Sequence, residues 1–391
     1  MTTAAEWAPL CFWIEMVSCS EPAAGGIKSG RHEFGQGAIF ELTPHGSEKV
    51  LYTFKGGVDG RFPDSGLIED AAGNLYGVTS EGGRGDSTAN GYECCGTVFK
   101  LSPDGTESVL YAFQGGSDGA FPQGNLLEDA SGNLYGATYI GGDQDCHIFG
   151  PPGCGTIFKL APDGTKTMLH AFKGGTDGVS PNGALVMDES GDLYGTTSEG
   201  GAGGGRQLCG CGVVFKLSPD GREVILHAFR YSPDGAFPLA GLLRDSAGNL
   251  YGTTSGGGVR EGWGCGDCGA VFEIGSDGVE KVLYAFKNRD DGVSPVAGLV
   301  EDTSGNLYGT TEWGGGIVCP GGSEGCGTLF KVAQDGTETV LHAFGSERGG
   351  AVPLAAPVMD RRGNLFGSTG LGGENCLTYG CCTVFEFRTR S

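Results

Sequence analysis

Positive charge is scarce in this 391-residue chain: Lys+Arg number 25 against 47 Asp+Glu, a formal net charge of -22 at pH 7. A surface of that sign repels phosphate backbones and anionic membranes, which argues against nucleic acid as a partner. Long apolar runs are missing too. None reaches the roughly 18 residues of a membrane helix, so no membrane insertion is expected. The apolar patch Ala8–Ser18 is broken by Glu15 and preceded by no Lys or Arg, which makes a poor signal peptide. Met16-Val-Ser-Cys19 matches a lipoprotein cleavage box only faintly, without the basic leader. Glycine is abundant, 78 residues, but has no triplet period, so collagen is excluded. A hydrophobic fraction of 38% and an aromatic fraction of 9% suffice for a packed core.

What is present in quantity is repetition. The stretch Cys95–Gly105, CGTVFKLSPDG, recurs along the chain. Its phenylalanine falls at Phe40, Phe99, Phe158, Phe215, Phe272, Phe330 and Phe385, at intervals of 59, 59, 57, 57, 58 and 55 residues. A second motif, G-N-L-Y-G-T-T, keeps the same beat from Gly73 to Thr369. Each unit reads as four short strands. In the second unit these are A (Gly124–Glu128), B (Leu134–Thr138), C (Gly155–Leu160) and D (Thr167–Phe172). Asp-x-x-Gly-Asn and Pro-Asp-Gly supply the turns between A and B and between C and D. Strands C and D are apolar on both faces, as in a sheet covered on both sides. A β-solenoid is the main competitor, but its rungs repeat at about 20–30 residues rather than nearly 60.

The expected fold is therefore all-β, a single β-propeller of four-stranded antiparallel blades. Residues 1–36 form an irregular N-terminal segment, 37–387 the propeller and 388–391 a tail. Six blades are expected, closed by the N-terminal strand Lys49–Phe54 joining the blade that begins at Val352–Met359. Seven is the alternative, with Pro9–Cys19 serving as decayed A and B strands.

In such a meander the D–A and B–C connections emerge on one face. The B–C loops are long and differ in every unit, and variation of this kind marks a binding face. They are rich in Asp and Glu and carry Tyr92, Phe149, Trp263, Trp313 and Tyr379, which could stack on sugars or clasp a basic peptide. The structural alternative is that these aromatics tuck over the blade ends. Thirteen of the 15 cysteines sit in the same loops. Cys95, Cys154, Cys211, Cys268, Cys326 and Cys381 occupy one repeat position, and Cys94, Cys146, Cys209, Cys265, Cys319 and Cys376 lie just upstream. Structural disulfides, and with them an oxidising compartment, follow. Cys94–Cys95 and Cys209–Cys211 are close enough for an internal bridge to be strained. Cys265 and Cys268 alone have metal-type spacing, and no second pair completes a zinc tetrad.

Catalytic patterns dissolve into the repeat. Gly115-Gly-Ser-Asp-Gly119 fits G-x-S-x-G, but the position of Ser117 is Val58 or Thr176 in other units, and no helix follows. His170, His227 and His342 share a strand-D position that is Tyr52, Tyr111 and Tyr284 elsewhere, which reads as packing. Asp70, Asp129, Asp188, Asp245, Asp302 and Asp360 read as turn residues. Asp59, Asp118, Asp177 and Asp234 are candidate Ca²⁺ ligands, though no D-x-D-x-D run accompanies them. No other cofactor is expected.

The units G-N-L-Y-G-T-T, G-T-V-F-K-L-S-P-D-G and L-Y-A-F resemble the GloVer-type tandem repeat (Gloeobacter/Verrucomicrobia) of bacterial exported proteins, over roughly residues 37–387. The A–B segment is similar to NHL and gluconolactonase-type propellers. The resemblance implies a propeller-like protein outside the cytoplasm, secreted or at the cell surface. The leading expectation is a monomeric, non-enzymatic scaffold that binds a glycan, peptide or protein on its B–C loop face. The alternatives are a lactonase-like hydrolase or lyase with a metal at the central channel, and a purely structural surface protein.

Overall fold

The computed structural model describes residues 13–17, 36–42, 48–63, 65–87, 93–146, 153–201, 210–258, 268–287, 290–316, 325–345, 350–371 and 383–388. The fold is an all-β propeller. Among the described residues only two single-turn 3-10 helices occur, Gly57–Asp59 and Gly116–Asp118. Among the described residues no helix is long and apolar enough to cross a membrane.

Six blades run in order along the chain, each an antiparallel meander. Blade 1 holds strands A to D at Ile68–Glu69, Leu75–Ser87, Glu93–Leu101 and Glu107–Ala112. Blade 2 holds Ala120–Glu128, Leu134–Ile140, Thr156–Leu160 and Lys166–Ala171. Blade 3 has Val186–Met187, Leu193–Glu199, Val213–Leu217 and Glu223–Ala228, with Val179–Pro181 as an extra strand beside B. Blades 4 and 5 begin at Leu243 and Val300 and end at Ala285 and Ala343. Blade 6 shows strands A, B and C at Val358–Met359, Leu365–Thr369 and Thr383–Phe387. Strand A is longer than expected in blade 2 and only two residues long in the others.

The N-terminal strands Trp13–Val17, Ala38–Leu42 and Glu48–Thr53 form a sheet of their own. The register Trp13↔Leu42 repeats Leu75↔Leu101, so Trp13–Val17 takes the place of a strand B beside Ala38–Leu42, which carries Phe40 at the strand-C position. It lies inside the stretch Pro9–Cys19 that a seventh blade would need. Among the described residues the strand at Glu48–Thr53 pairs with Ala38–Leu42, and Thr383–Phe387 pairs with Leu365–Thr369. A pairing between the two ends of the ring is not among them.

The repeated phenylalanine explains how the blades stack. Strands C and D slip register next to it in the N-terminal sheet and in the first five blades, for example between Ile157 and Phe158. Such a bulge bends the strand and re-aims the side chain. Phe158 then meets Phe113 at the end of strand D in the preceding blade, and six such pairs, from Phe54–Phe99 to Phe344–Phe385, have centroids 5.0–5.3 Å apart. Edge-on aromatic pairs each contribute about 0.5–1.5 kcal/mol beyond burial. Within its own blade the ring lies across the glycine of L-Y-G: a Cβ at Gly252 would stand 2.5 Å from Phe272 Cζ. That contact requires glycine in the motif.

A second close approach organises the centre. A Cβ at Gly183 would meet Ala240 O at 2.3 Å, and one at Gly241 would meet Ala184 at 2.7 Å. A similar contact links Gly124 to Gly183 at 2.7 Å, and a Cβ at Gly298 would meet Ala356 at an ordinary 3.5 Å, so the segments leading into strand A converge from successive blades. Strand A is thus innermost and strand D outermost.

Candidate functional site

The loop face rests on a repeated base. Six residues just before proline adopt left-handed backbone without being glycine: Phe62, Phe121, Ser180, Phe237, Ser294 and Val352, with φ between 55° and 59°. Conformations of this kind persist where surrounding structure enforces them. Here the enforcement is visible. The N–H groups of Ser180, Phe237, Ser294 and Val352 donate to the carbonyls of Cys154, Cys211, Cys268 and Cys326 at 2.7–2.9 Å. The following proline lies on the glycine after that cysteine, as Pro181 does on Gly155. Each of these four cysteines therefore holds the chain on its way into the next blade.

The same cysteines are oxidised. Cys146 and Cys154 form a disulfide with Cα atoms 5.8 Å apart. Cys95, Cys211, Cys268 and Cys326 are also disulfide-bonded, and their partners lie outside the described residues. All six are buried. The other predicted disulfide cysteines, Cys94, Cys209, Cys265, Cys319, Cys376 and Cys381, fall outside the residues whose side chains are described. So do four of the five candidate binding aromatics, Tyr92, Phe149, Trp263 and Tyr379. Trp313 is described. It is half-buried, pairs its backbone with Val293 and packs against the core of blades 5 and 6.

The turn aspartates behave as turn chemistry predicts. Asp70 accepts hydrogen bonds from the backbone N–H groups of Ala72 and Asn74, the Asn74 amide and the Tyr76 hydroxyl. The Asn74 side chain above all holds the Asp70 carboxyl down at about 2. Ser117, the apparent elbow serine, is exposed on a 3-10 turn flanked by Gly115 and Gly119.

The D–A loop aspartates are a different matter. They face the preceding strand D and the first residue of the next strand D. Tyr52 and Tyr111 donate to Asp59 and Asp118 at 2.6 and 2.7 Å, and Tyr284 donates to Asp291 at 2.7 Å. Burial and the aspartate push all three phenols up. At the blade 1–blade 2 junction the third member is Lys166. Its ammonium lies 2.7 Å from Asp118 Oδ1, over the rings of Tyr111, Phe113 and Phe158. At the two equivalent junctions beside Tyr52 and Tyr284 the third member is Glu107 or Glu338. Burial first, then the charge of Asp59 or Asp291, pushes each carboxyl up to about 7.

At two successive junctions histidine replaces tyrosine. His170, Asp177 and Glu223 converge, as do His227, Asp234 and Glu280, each set with its donor atoms within 4.8 Å of one another. His170 Nε2 is 3.4 Å from Asp177 Oδ2 and 3.8 Å from Glu223 Oε2. His227 Nε2 is 3.0 Å from Asp234 Oδ2. Burial, and Asp177 beside it, push the Glu223 carboxyl up to about 9. His170 and Glu223 in turn hold Asp177 well below the usual carboxylate range despite its burial. Both histidines do pack, edge-on against Phe172 and Phe229, as the His/Tyr alternation suggested. The packing reading missed their polar side. A signal was present in the numbering: Asp follows His by 7 and Glu by 53 residues in both sets.

A family model for the Gloeobacter/Verrucomicrobia repeat matches residues 25–204, 87–319 and 203–391. The chain belongs to this repeat family. Among solved structures, the Gloeobacter/Verrucomicrobia repeat chain is similar to an extracellular domain assigned to a one-component system of B. thetaiotaomicron, at 14% identity and TM-score 0.52, covering 97% of this chain and 39% of that one. That likeness is one of fold. A protein described as a gluconolactonase matches at 14% identity and TM-score 0.38, over 70% of this chain and 77% of that one. A luciferin-regenerating enzyme matches at 16% and 0.36, over 61% and 71%. A search of curated protein sequences found no match.

Proposed function

We propose that this repeat chain is a non-enzymatic binding scaffold that works outside the cytoplasm and presents its B–C loops from one face of the propeller. The observation that supports this most is the buried, disulfide-bonded cysteine at the start of strand C in five successive blades. A disulfide closing a loop limits the freedom of the unfolded chain. Loops that are anchored identically but differ in sequence suit recognition, because the scaffold supplies position and the loops supply chemistry. Disulfides in such number also suit an oxidising compartment. The loops are acidic and carry aromatics, a combination that fits sugars or basic peptides.

Binding to an array of soluble oligosaccharides and to an oligo-lysine peptide tests the reading. Tyr92→Ala and Trp263→Ala should weaken the interaction at least tenfold without moving the melting temperature. Failure to bind any probe, together with hydrolysis of a simple γ-lactone by the wild-type chain, would replace the scaffold reading with an enzymatic one.

A further inference from the structure

We propose that two of the blade junctions are divalent transition-metal sites, one held by His170, Asp177 and Glu223 and the other by His227, Asp234 and Glu280. This goes beyond the loop-face reading and stands independently of it.

Four observations converge. The donor set comes first: each junction offers one imidazole nitrogen and two carboxylates with all atoms within 4.8 Å. Zn²⁺ binds such donors at about 2.0–2.1 Å, which places tetrahedral neighbours about 3.3 Å apart. The separations of 3.4 and 3.8 Å around His170 Nε2 lie within half an ångström of that spacing. The second observation is unmet polar demand. Among the described residues His170 Nε2, Glu223 Oε1 and Glu280 Oε1 are buried without a hydrogen-bond partner, and the Glu223 side chain is only 10% exposed. Glu107 Oε1 and Glu338 Oε1 at the tyrosine junctions share this, but only the histidine junctions add an imidazole to it. Buried polar atoms of this kind cost free energy unless something satisfies them.

The third observation is a cation already present at an equivalent place. At the preceding junction Lys166 replaces the glutamate, and its ammonium contacts Asp118. The repeat therefore builds a position where positive charge is wanted. At the two histidine junctions no lysine or arginine among the described residues takes that place, and the imidazole faces the carboxylates instead. Lys173 and Arg230 act on Glu223 and Glu280 only through their charges at a distance. The fourth is orientation of the ligands: the backbone N–H groups of Lys173 and Arg230 donate to Asp177 and Asp234, fixing those carboxylates as backbone donors do around metal ligands.

The donor set selects among metals. Ca²⁺ takes 6–8 oxygens, which these junctions do not provide, whereas one imidazole with carboxylates suits Zn²⁺, Co²⁺ or Mn²⁺. His and Asp belong to one blade and Glu to the next, so the ion would clamp two blades together near the outer edge of the ring. A ligand that binds only the assembled ring stabilises it in proportion to its occupancy.

The full-length chain, freed of metal with EDTA and titrated with ZnCl₂ by calorimetry, should bind two ions and melt at a temperature that rises with Zn²⁺ concentration. His170→Tyr converts the first junction into the type that its siblings at Tyr52 and Tyr284 already fold with. It should leave one ion, and Glu280→Gln should likewise remove one. Glu107→Gln should leave both. Tyr284→His completes a His, Asp and Glu set at a third junction and should raise the count to three. Co²⁺ titrated in place of Zn²⁺ should give visible bands of low-coordinate nitrogen–oxygen ligation that diminish by half in His170→Tyr. A stoichiometry unchanged by His170→Tyr and Glu280→Gln would overturn the proposal. So would a wild-type melting temperature indifferent to Zn²⁺.

Discussion

At the scale of the residue, the motif glycines are governed by the ring beside them. Gly252 has ordinary backbone, so its cost of replacement comes from contact and not from φ. A Cβ there would stand 2.5 Å from Phe272 Cζ and 3.1 Å from Leu242 Cδ2, both in a packed core. Overpacking of a filled core costs about 1–3 kcal/mol. Gly252→Ala should therefore lower unfolding free energy by about that much in urea titration. Adding Phe272→Leu should recover part of it, because the shorter side chain leaves room for the methyl group. Additive losses in the double variant would show that the ring contact is not the cause.

At the scale of the element, the disulfide-bearing loop should behave as a local staple. Cys146 and Cys154 are eight residues apart. A loop of that length, on the chain-entropy estimate, is worth about 2–3 kcal/mol. Cys146→Ser with Cys154→Ser should cost about that amount in denaturant melts and should expose the nearby backbone to faster amide exchange. An unchanged melting curve would contradict the estimate. Much at this scale was legible in the sequence. Strands B, C and D, their turns and the Asp70-type hydrogen bonds follow from local patterns, because each is decided within about six residues. Strand A was harder to place. Its two ladder residues in most blades leave almost no periodicity to read. Trp13–Val17 pairs as a strand without the L-Y-G motif, so its place depended on the partner strand rather than on its own residues. The His–Asp–Glu junctions were hidden for a related reason. Their members lie 53 residues apart and meet only when blades stack, and the alternation of His with Tyr suggested packing alone.

At the scale of the whole molecule, the junction carboxyls should set how stability depends on pH. Glu107 and Glu338 titrate at about 7 in the folded chain against an ordinary value of 4.5. Burial likewise holds Glu199, Glu301 and Glu312 above their ordinary values. A glutamate raised in this way keeps its proton in the folded state while the unfolded chain has lost it. The stability contributed by Glu107 and Glu338 therefore falls as pH rises from about 4.5 to about 7, and Glu223, pushed up to about 9, extends the decline beyond that. The turn aspartates work in the other direction. Asp70 and Asp129 are held at about 2, so their contribution is complete above the ordinary value of 3.8 and is lost as pH falls towards 2. His342 opposes the glutamates, since burial lowers it and favours the folded state at higher pH, but it is one group against several. The net charge of -22 at pH 7 adds self-repulsion on the alkaline side. In EDTA, thermal melting between pH 3 and 9 should therefore peak near pH 4–5, and Glu107→Gln with Glu338→Gln should flatten the decline up to pH 7. A melting temperature that climbs from pH 5 to pH 7 would mean that these carboxyls are ionised in the folded ring, and the buried-junction account of the blade stack would fail with it.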